Sequence, residues 1–356
     1  MNKDEYINCH THIETSESVP DGFIPFITKW LSKPKFSRGL ARVLHKVTWW
    51  SNNDIFDRFM TFLNTGNYPN QKAIFDEMIG YYPDNFNFGT CSMDMAYMGA
   101  GKVKQKYLEG QLAELAHLKE IYGNKIMPMV CVDPRRDNIL NIVKWAAGAG
   151  FAGIKLYPAL GYYPGDRRLD PIYKFAEENN LPIISHCGID GAVHARGNIK
   201  KLLNQVDQSR KRYKNLWNYF GEPSQYIGVV NRFPKLKICL AHMGGGSEVD
   251  KYLNTSFGPN KDTWFNDIKK LIRLYPNNIY TDTSFTMAND RFHPVLLNML
   301  KDKTIRNNVL FGTDFYMATQ KISEREFCLK LISFIGEEMF AMIACLNPRR
   351  FFGIKK

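Results

Sequence analysis

The chain has 356 residues, 44% hydrophobic and 23% charged, enough apolar material for a large core in a single domain spanning 1–356. It has no run of roughly eighteen apolar residues, so a membrane span is not expected. Lysine and arginine outnumber the acids 47 to 35, a formal charge of +12. These basic residues are scattered, and the densest group (Arg210, Lys211, Arg212 and Lys214, near Lys200 and Lys201) reads as the solvated face of a helix, which leaves steering of anionic small molecules rather than nucleic-acid binding as the expected use of the charge.

From Met1 the chain enters an apolar strand, Tyr6–His12, with no charged-then-apolar leader, and the expected compartment is the cytoplasm. An aromatic-rich segment at about 13–86, containing Trp30, Trp49 and Trp50, separates it from a second strand, Phe88–Met93. Lys104–Tyr122 carries Leu108, Leu112, Leu115 and Ile121 near helical spacing and stops at Gly123. Strand Ile126–Val132, helix Asn138–Ala149, strand Gly153–Tyr157 and helix Pro171–Asn179 follow, the last with proline in its first turn. After strand Pro182–His186 comes a second insertion, about 188–235, holding the basic group and Trp217. Strands Leu236–His242, Ile279–Asp282 and Val309–Asp314 complete a set of eight.

Most of these strands are continuously apolar and alternate with helices, which predicts a parallel barrel or a doubly wound sheet. Both insertions follow strand ends and read as largely helical segments that shape or cover a pocket. Exposed aromatics in them would make a homodimer unsurprising. The seven cysteines form no CxxC pair, and five lie in or beside the strands, as buried free thiols of a reducing compartment would.

His10-Thr11-His12 ends the first strand, and residues two apart on a strand share a face, so both imidazoles can aim at one point. Alone, this triplet is a weak metal signal. It gains weight from His186, His242 and Asp314, each at the end of a later strand, where a barrel gathers its catalytic groups. Plainer readings exist: a satisfied structural histidine at His242, or an Asp314 that caps the following helix. Asp94, Asp133 and Asp282 follow other strand ends as weaker candidates. Arg135 or Arg167 could clamp a substrate carboxylate, although Asp133-Pro134-Arg135-Arg136 also reads as a turn and helix start. His45, His117 and His293 read as structural, while His194, in the loop after His186, is placed to reach a substrate.

Taken in order, INCHTHI, GIKLYP, PIISHCG, ICLAHMGGG and VLFGTDF resemble the amidohydrolase superfamily, in particular its amidohydrolase-related branch. That branch includes metal-dependent hydrolases and the decarboxylases of carboxymuconate semialdehyde and hydroxybenzoates. The resemblance implies a (β/α)8 TIM barrel with helical insertions after strands 1 and 5. It also implies a divalent metal on His10, His12, His186 and Asp314, with Asp314 doubling as general base and His242 polarising the substrate or moving a proton. Nitrogen and carboxylate ligands suit one zinc ion first, with manganese, iron or cobalt as alternatives.

GIKLYP looks like the KLHP-type motif of the branch with Tyr157 in place of histidine. Lys155 is therefore read as an inward-facing, substrate-binding residue beside Tyr157, with a bridge between two metals or a structural ion pair as alternatives. The expected reaction is hydrolysis of a C–N or C–O bond in a small molecule through a metal-activated water. The alternative is decarboxylation of an unsaturated or aromatic carboxylic acid by the same metal site.

Overall fold

Eight strands run parallel and lie side by side in chain order. They are β1 (Tyr6–His12), β2 (Phe86–Cys91), β3 (Ile126–Val132), β4 (Gly153–Leu156), β5 (Ile183–Ser185), β6 (Ile238–Leu240), β7 (Ile279–Asp282) and β8 (Val309–Leu310). The ring closes where the Cys9 N–H donates to the Phe311 carbonyl at 2.9 Å and the Asp314 N–H donates to the His10 carbonyl at 2.9 Å. Of the two architectures the strand–helix alternation allows, the chain adopts the (β/α)8 barrel. The computed structural model describes residues 5–23, 61–62, 64–189, 191, 193–199, 215–254 and 262–354. The basic group at 200–214, His45, Trp30, Trp49 and Trp50 lie outside the described residues.

Helices pack around the ring because each buries one apolar face. Helix α1 (Gln71–Ile79) lies within the first insertion, and α2 (Tyr107–Tyr122), α3 (Ile139–Gly148) and α4 (Asp170–Glu178) cross between the following strands. Later ones include α5 (Ile227–Arg232), α6 (Gly246–Asn254), α7 (Trp264–Leu274), α8 (His293–Lys301) and α9 (Glu324–Ile335). In α7, Trp264, Phe265, Ile268, Leu271 and Ile272 are buried, and the Thr263 side chain accepts from the Asn266 N–H, a cap worth about 1 kcal/mol. In α2 the buried face is Leu108, Leu112, Leu115 and Leu118, whereas Ile121 is 50% exposed. At 3.6 residues per turn Ile121 lies about 140° around the helix from Leu108, so the apolar stripe ends one turn before it. No helix among the described residues is long and apolar enough to cross a membrane.

The barrel interior is filled by Ile7, Cys9, Cys91, Met129, Ile184, Cys239 and Leu310, and a larger apolar layer lies between strands and helices. Six of the seven cysteines are buried free thiols, and Cys328 is half-buried. One irregularity aims the active face. Asn8 pairs with Phe88, yet Thr11 pairs with Thr90, so β1 carries one extra residue. That bulge lets Cys9 fill the interior while His10, the next residue, also turns inward. Gly89 makes room for it, because a Cβ there would sit 2.3 Å from the Cys9 carbonyl oxygen. Strands β5, β6 and β8 stop short of His186, His242 and Asp314, which lie in the turns just beyond.

Candidate active site

His10 is the hub of the barrel mouth. Its Nδ1 lies 2.9 Å from Asp282 Oδ2, while its Nε2 lies 2.5 Å from Lys155 Nζ and 3.6 Å from Asp314 Oδ1. A carboxylate only accepts, so the ring proton sits on Nδ1 and Nε2 presents its lone pair. His12 repeats the arrangement, with Nδ1 3.1 Å from Glu14 and Nε2 3.4 Å from the same Asp314 oxygen. Two imidazoles with carboxylates behind them thus turn their Nε2 atoms toward one carboxylate oxygen, the geometry by which outer carboxylates orient metal-binding histidines.

Asp282, fully buried, organises the next layer. It accepts from His10 Nδ1–H, from the His242 backbone N–H at 2.9 Å and from the Ser284 hydroxyl. Because Ser284 spends its proton on Asp282, its oxygen receives the His242 Nδ1–H at 2.8 Å, and His242 Nε2 is left for the site. Burial opposes ionisation of Asp282, but its His10 and His242 partners hold its carboxyl far below the usual range. Burial, reinforced by the Lys155 ammonium, pushes His10 down to about 3. Burial also lowers His242 to about 4 against the opposing pull of Asp314, and drives His186 well down with His242 adding to it. Near neutral pH these three rings are uncharged, with nitrogen lone pairs to offer.

His242 and Asp314 hold φ of 68° and 64°, the left-handed region that side chains other than glycine adopt rarely. Asp314 is fixed there by its N–H on the His10 carbonyl and by the Ala318 N–H on its own carbonyl, both 2.9 Å. The backbone is strained at the two residues expected to carry the proton chemistry.

The remaining expected residues divide into two sets. Lys155, 1% exposed, reaches His10 directly. His186 stacks on Tyr157 with ring centres 4.1 Å apart and 11° between planes, and lies 4.7 Å from the His242 ring. Its Nε2 sits 3.2 Å from the Gly188 carbonyl, so it borders the cluster through His242. Arg135 is committed to its own loops: it donates to Asp133 from Nε at 2.8 Å and from Nη2 at 2.5 Å, and to the Tyr97 and Leu160 carbonyls at 3.1 Å each. His194 stacks flat on Trp217 at 3.7 Å and faces the Ala195 carbonyl through Nδ1. Arg167 is largely exposed beside Asp170, His117 is exposed, and His293 is buried against the Met287 carbonyl.

Asp282 drew only weak notice in the sequence, as an aspartate at a strand end. Glu14 and Ser284 gave no sequence signal, since their roles depend on which ring nitrogen they meet.

The imidazole nitrogens of His10 and His12 and the Asp314 carboxylate are donors of the type that holds a divalent cation. The ligand atoms of His10, His12 and Cys91 lie within 4.8 Å of one another, as do those of His10, His242 and Asp282. Lys155 Nζ lies against the same His10 Nε2 at 2.5 Å.

The profile of a family described as Amidohydrolase matches residues 7–354. Among solved structures, the chain is similar to 5-carboxyvanillate decarboxylase of Novosphingobium aromaticivorans, determined with manganese and 4-hydroxy-3-methoxy-5-nitrobenzoic acid. That match has a TM-score of 0.60 at 15% identity and covers 98% of this chain and 96% of that one. A 2,6-dihydroxybenzoate decarboxylase from Rhizobium matches with a TM-score of 0.56 at 13% identity over 99% of both chains. A probable 2-pyrone-4,6-dicarboxylic acid hydrolase from Acinetobacter baumannii, with citric acid bound, gives 0.56 at 11% identity over 98% of this chain and 100% of that one. At such identities these matches speak to the fold.

Proposed function

The chain belongs to the amidohydrolase family, and from that premise we propose that it is a metal-dependent lyase that decarboxylates an aromatic or unsaturated carboxylic acid. Hydrolysis, the first expectation, has support only at the level of the superfamily. Decarboxylation is favoured because two of the similar folds belong to decarboxylases of hydroxylated benzoates. The observation that carries the metal dependence is the convergence of His10 Nε2 and His12 Nε2 on Asp314, buried and backed by Asp282 and Glu14.

His10, His12 and Asp314 would hold the metal, with His186 as a further ligand from beside His242. Manganese, present in the Novosphingobium enzyme, is favoured over the zinc expected first. When bound, the metal supplies positive charge that orients the substrate carboxylate and its neighbouring oxygen. Lys155 adds a second cation at the same mouth. Burial holds the Tyr157 phenol protonated, so it serves as a hydrogen-bond donor to an anionic substrate.

In the reaction the bond from carbon to carboxylate breaks, carbon dioxide leaves, and its electron pair stays on carbon to be protonated. His242 arrives neutral, so it first takes a proton from solvent or a substrate hydroxyl and then returns it to carbon. Asp314, facing both imidazoles, shares that proton traffic. Arg135 and His194, expected as substrate contacts, have no part here, because the guanidinium ties three loops and the imidazole is covered by Trp217.

The test is turnover of hydroxybenzoate and unsaturated dicarboxylate panels by manganese-loaded protein in D2O. Carbon dioxide release with one deuterium on the product carbon supports the lyase. Hydrolysis of amide, ester or lactone panels with 18O uptake from water, and no carbon dioxide, would overturn it.

A further inference from the structure

A second buried polar network, which this chemistry does not use, joins the two halves of the ligand cluster. Glu324, in the first turn of α9 and 2% exposed, accepts from the Thr313 hydroxyl at 2.5 Å, from the Tyr82 hydroxyl, and from Asn8 Nδ2 at 3.4 Å. Asn8 also donates to Thr313 Oγ1 at 2.8 Å and to the Tyr82 oxygen at 2.9 Å. Its Oδ1 accepts the backbone N–H groups of Thr313 at 3.2 Å and His10 at 3.4 Å. Thr313 precedes Asp314, and Asn8 lies two residues before His10. One carboxylate oxygen therefore gathers donors from the strand that carries His10 and His12 and from the turn that carries Asp314.

We infer that Glu324 is a positioning residue: through Thr313 and Asn8 it sets the distance between the Asp314 carboxylate and the His10–His12 pair. This rests on the metal site proposed above. Asp314 has a strained, left-handed backbone held by its N–H on the His10 carbonyl, by the Ala318 N–H on its own carbonyl, and by the clamp on its neighbour Thr313. Without the Glu324 acceptor, the hydroxyls of Thr313 and Tyr82 point into a buried gap, and the Asn8 amide is left bonded only to their two oxygens. They must then turn elsewhere, and the 313–314 turn moves with them.

The experiment measures Mn2+ affinity, from the electron paramagnetic resonance of free Mn2+, beside thermal melts of the full chain. E324A and T313V should each weaken Mn2+ binding by about 10- to 100-fold. E324Q keeps an acceptor oxygen and T313S keeps the hydroxyl, so both should stay within about threefold of wild type. L331A, which hollows the buried face of the same helix, should lower the melting temperature while leaving Mn2+ affinity unchanged. If E324A does not fold, the T313V and T313S pair decides the matter. Wild-type affinity in folded E324A or T313V, or an affinity loss in L331A that tracks its lost stability, would overturn the positioning role alone. A wild-type chain that binds no Mn2+ would overturn the metal site and this inference with it.

Discussion

Substituting Asp282 by asparagine tests the reading of the site at its most constrained point. The His242 backbone N–H, 2.9 Å from Oδ1, cannot turn away, so the amide must keep its oxygen there and present its NH2 to His10 Nδ1. Two donors then face each other, and because the Ser284 oxygen, 3.1 Å from Nδ1, already receives the His242 proton, His10 relieves this by moving its proton to Nε2, the nitrogen that faces Asp314. The lost charge-assisted bond at 2.9 Å is worth about 1.5–3 kcal/mol, and each 1.4 kcal/mol is tenfold, so metal affinity should fall by about 10- to 100-fold. Isothermal titration of the chelator-stripped protein with Mn2+ measures this, and long-range 1H–15N correlation of the histidine rings reports which nitrogen carries the proton. Binding within threefold of wild type, with the His10 proton still on Nδ1, would refute the claim that Asp282 sets the tautomer that makes His10 a ligand.

His242→Asn should keep the metal and lower kcat by about 10²- to 10⁴-fold, since asparagine tolerates the left-handed backbone at 68° but cannot shuttle a proton. Metal analysis beside steady-state kinetics checks it. Gly89→Ala should cost about 1–3 kcal/mol in urea denaturation, because its methyl meets the Cys9 carbonyl at 2.3 Å and the β1 bulge must shift. Burial pushes the Glu324 carboxyl up to about 7 from 4.5, with Thr313 and Tyr82 opposing and Asp314 adding. The folded state therefore keeps a proton that the unfolded chain has lost. Stability from this group is whole below pH 4.5 and drains as pH rises through about 7, on the order of 3 kcal/mol in all. Urea melts of wild type and E324Q at pH 5 and pH 7.5 should diverge by about 2 kcal/mol, the part of that loss falling between these pH values, with wild type losing more.

Much of this protein is local and therefore readable from the chain. The strands Tyr6–His12, Ile126–Val132 and Ile279–Asp282 match their predicted bounds residue for residue, because a run of apolar side chains between turn residues has few other conformations open to it. The same locality marked His10, His12, His186, His242 and Asp314 as strand-end groups, and alternation along β1 put the two histidines of HxH on one face. What the chain could not show is anything that depends on a partner distant in sequence. The β1 bulge exists because Gly89 lies beside Cys9 across the sheet. Asp282 and Ser284 become the support of His10 and His242 only once β7 stands next to β6, and Arg135 becomes a loop tie only when Asp133, Tyr97 and Leu160 surround it. Residue type and spacing determined where the reactive groups stand on their elements. Closure of the barrel alone decided which nitrogen of each ring faces the mouth, because a ring's proton follows the acceptor that the fold brings to it.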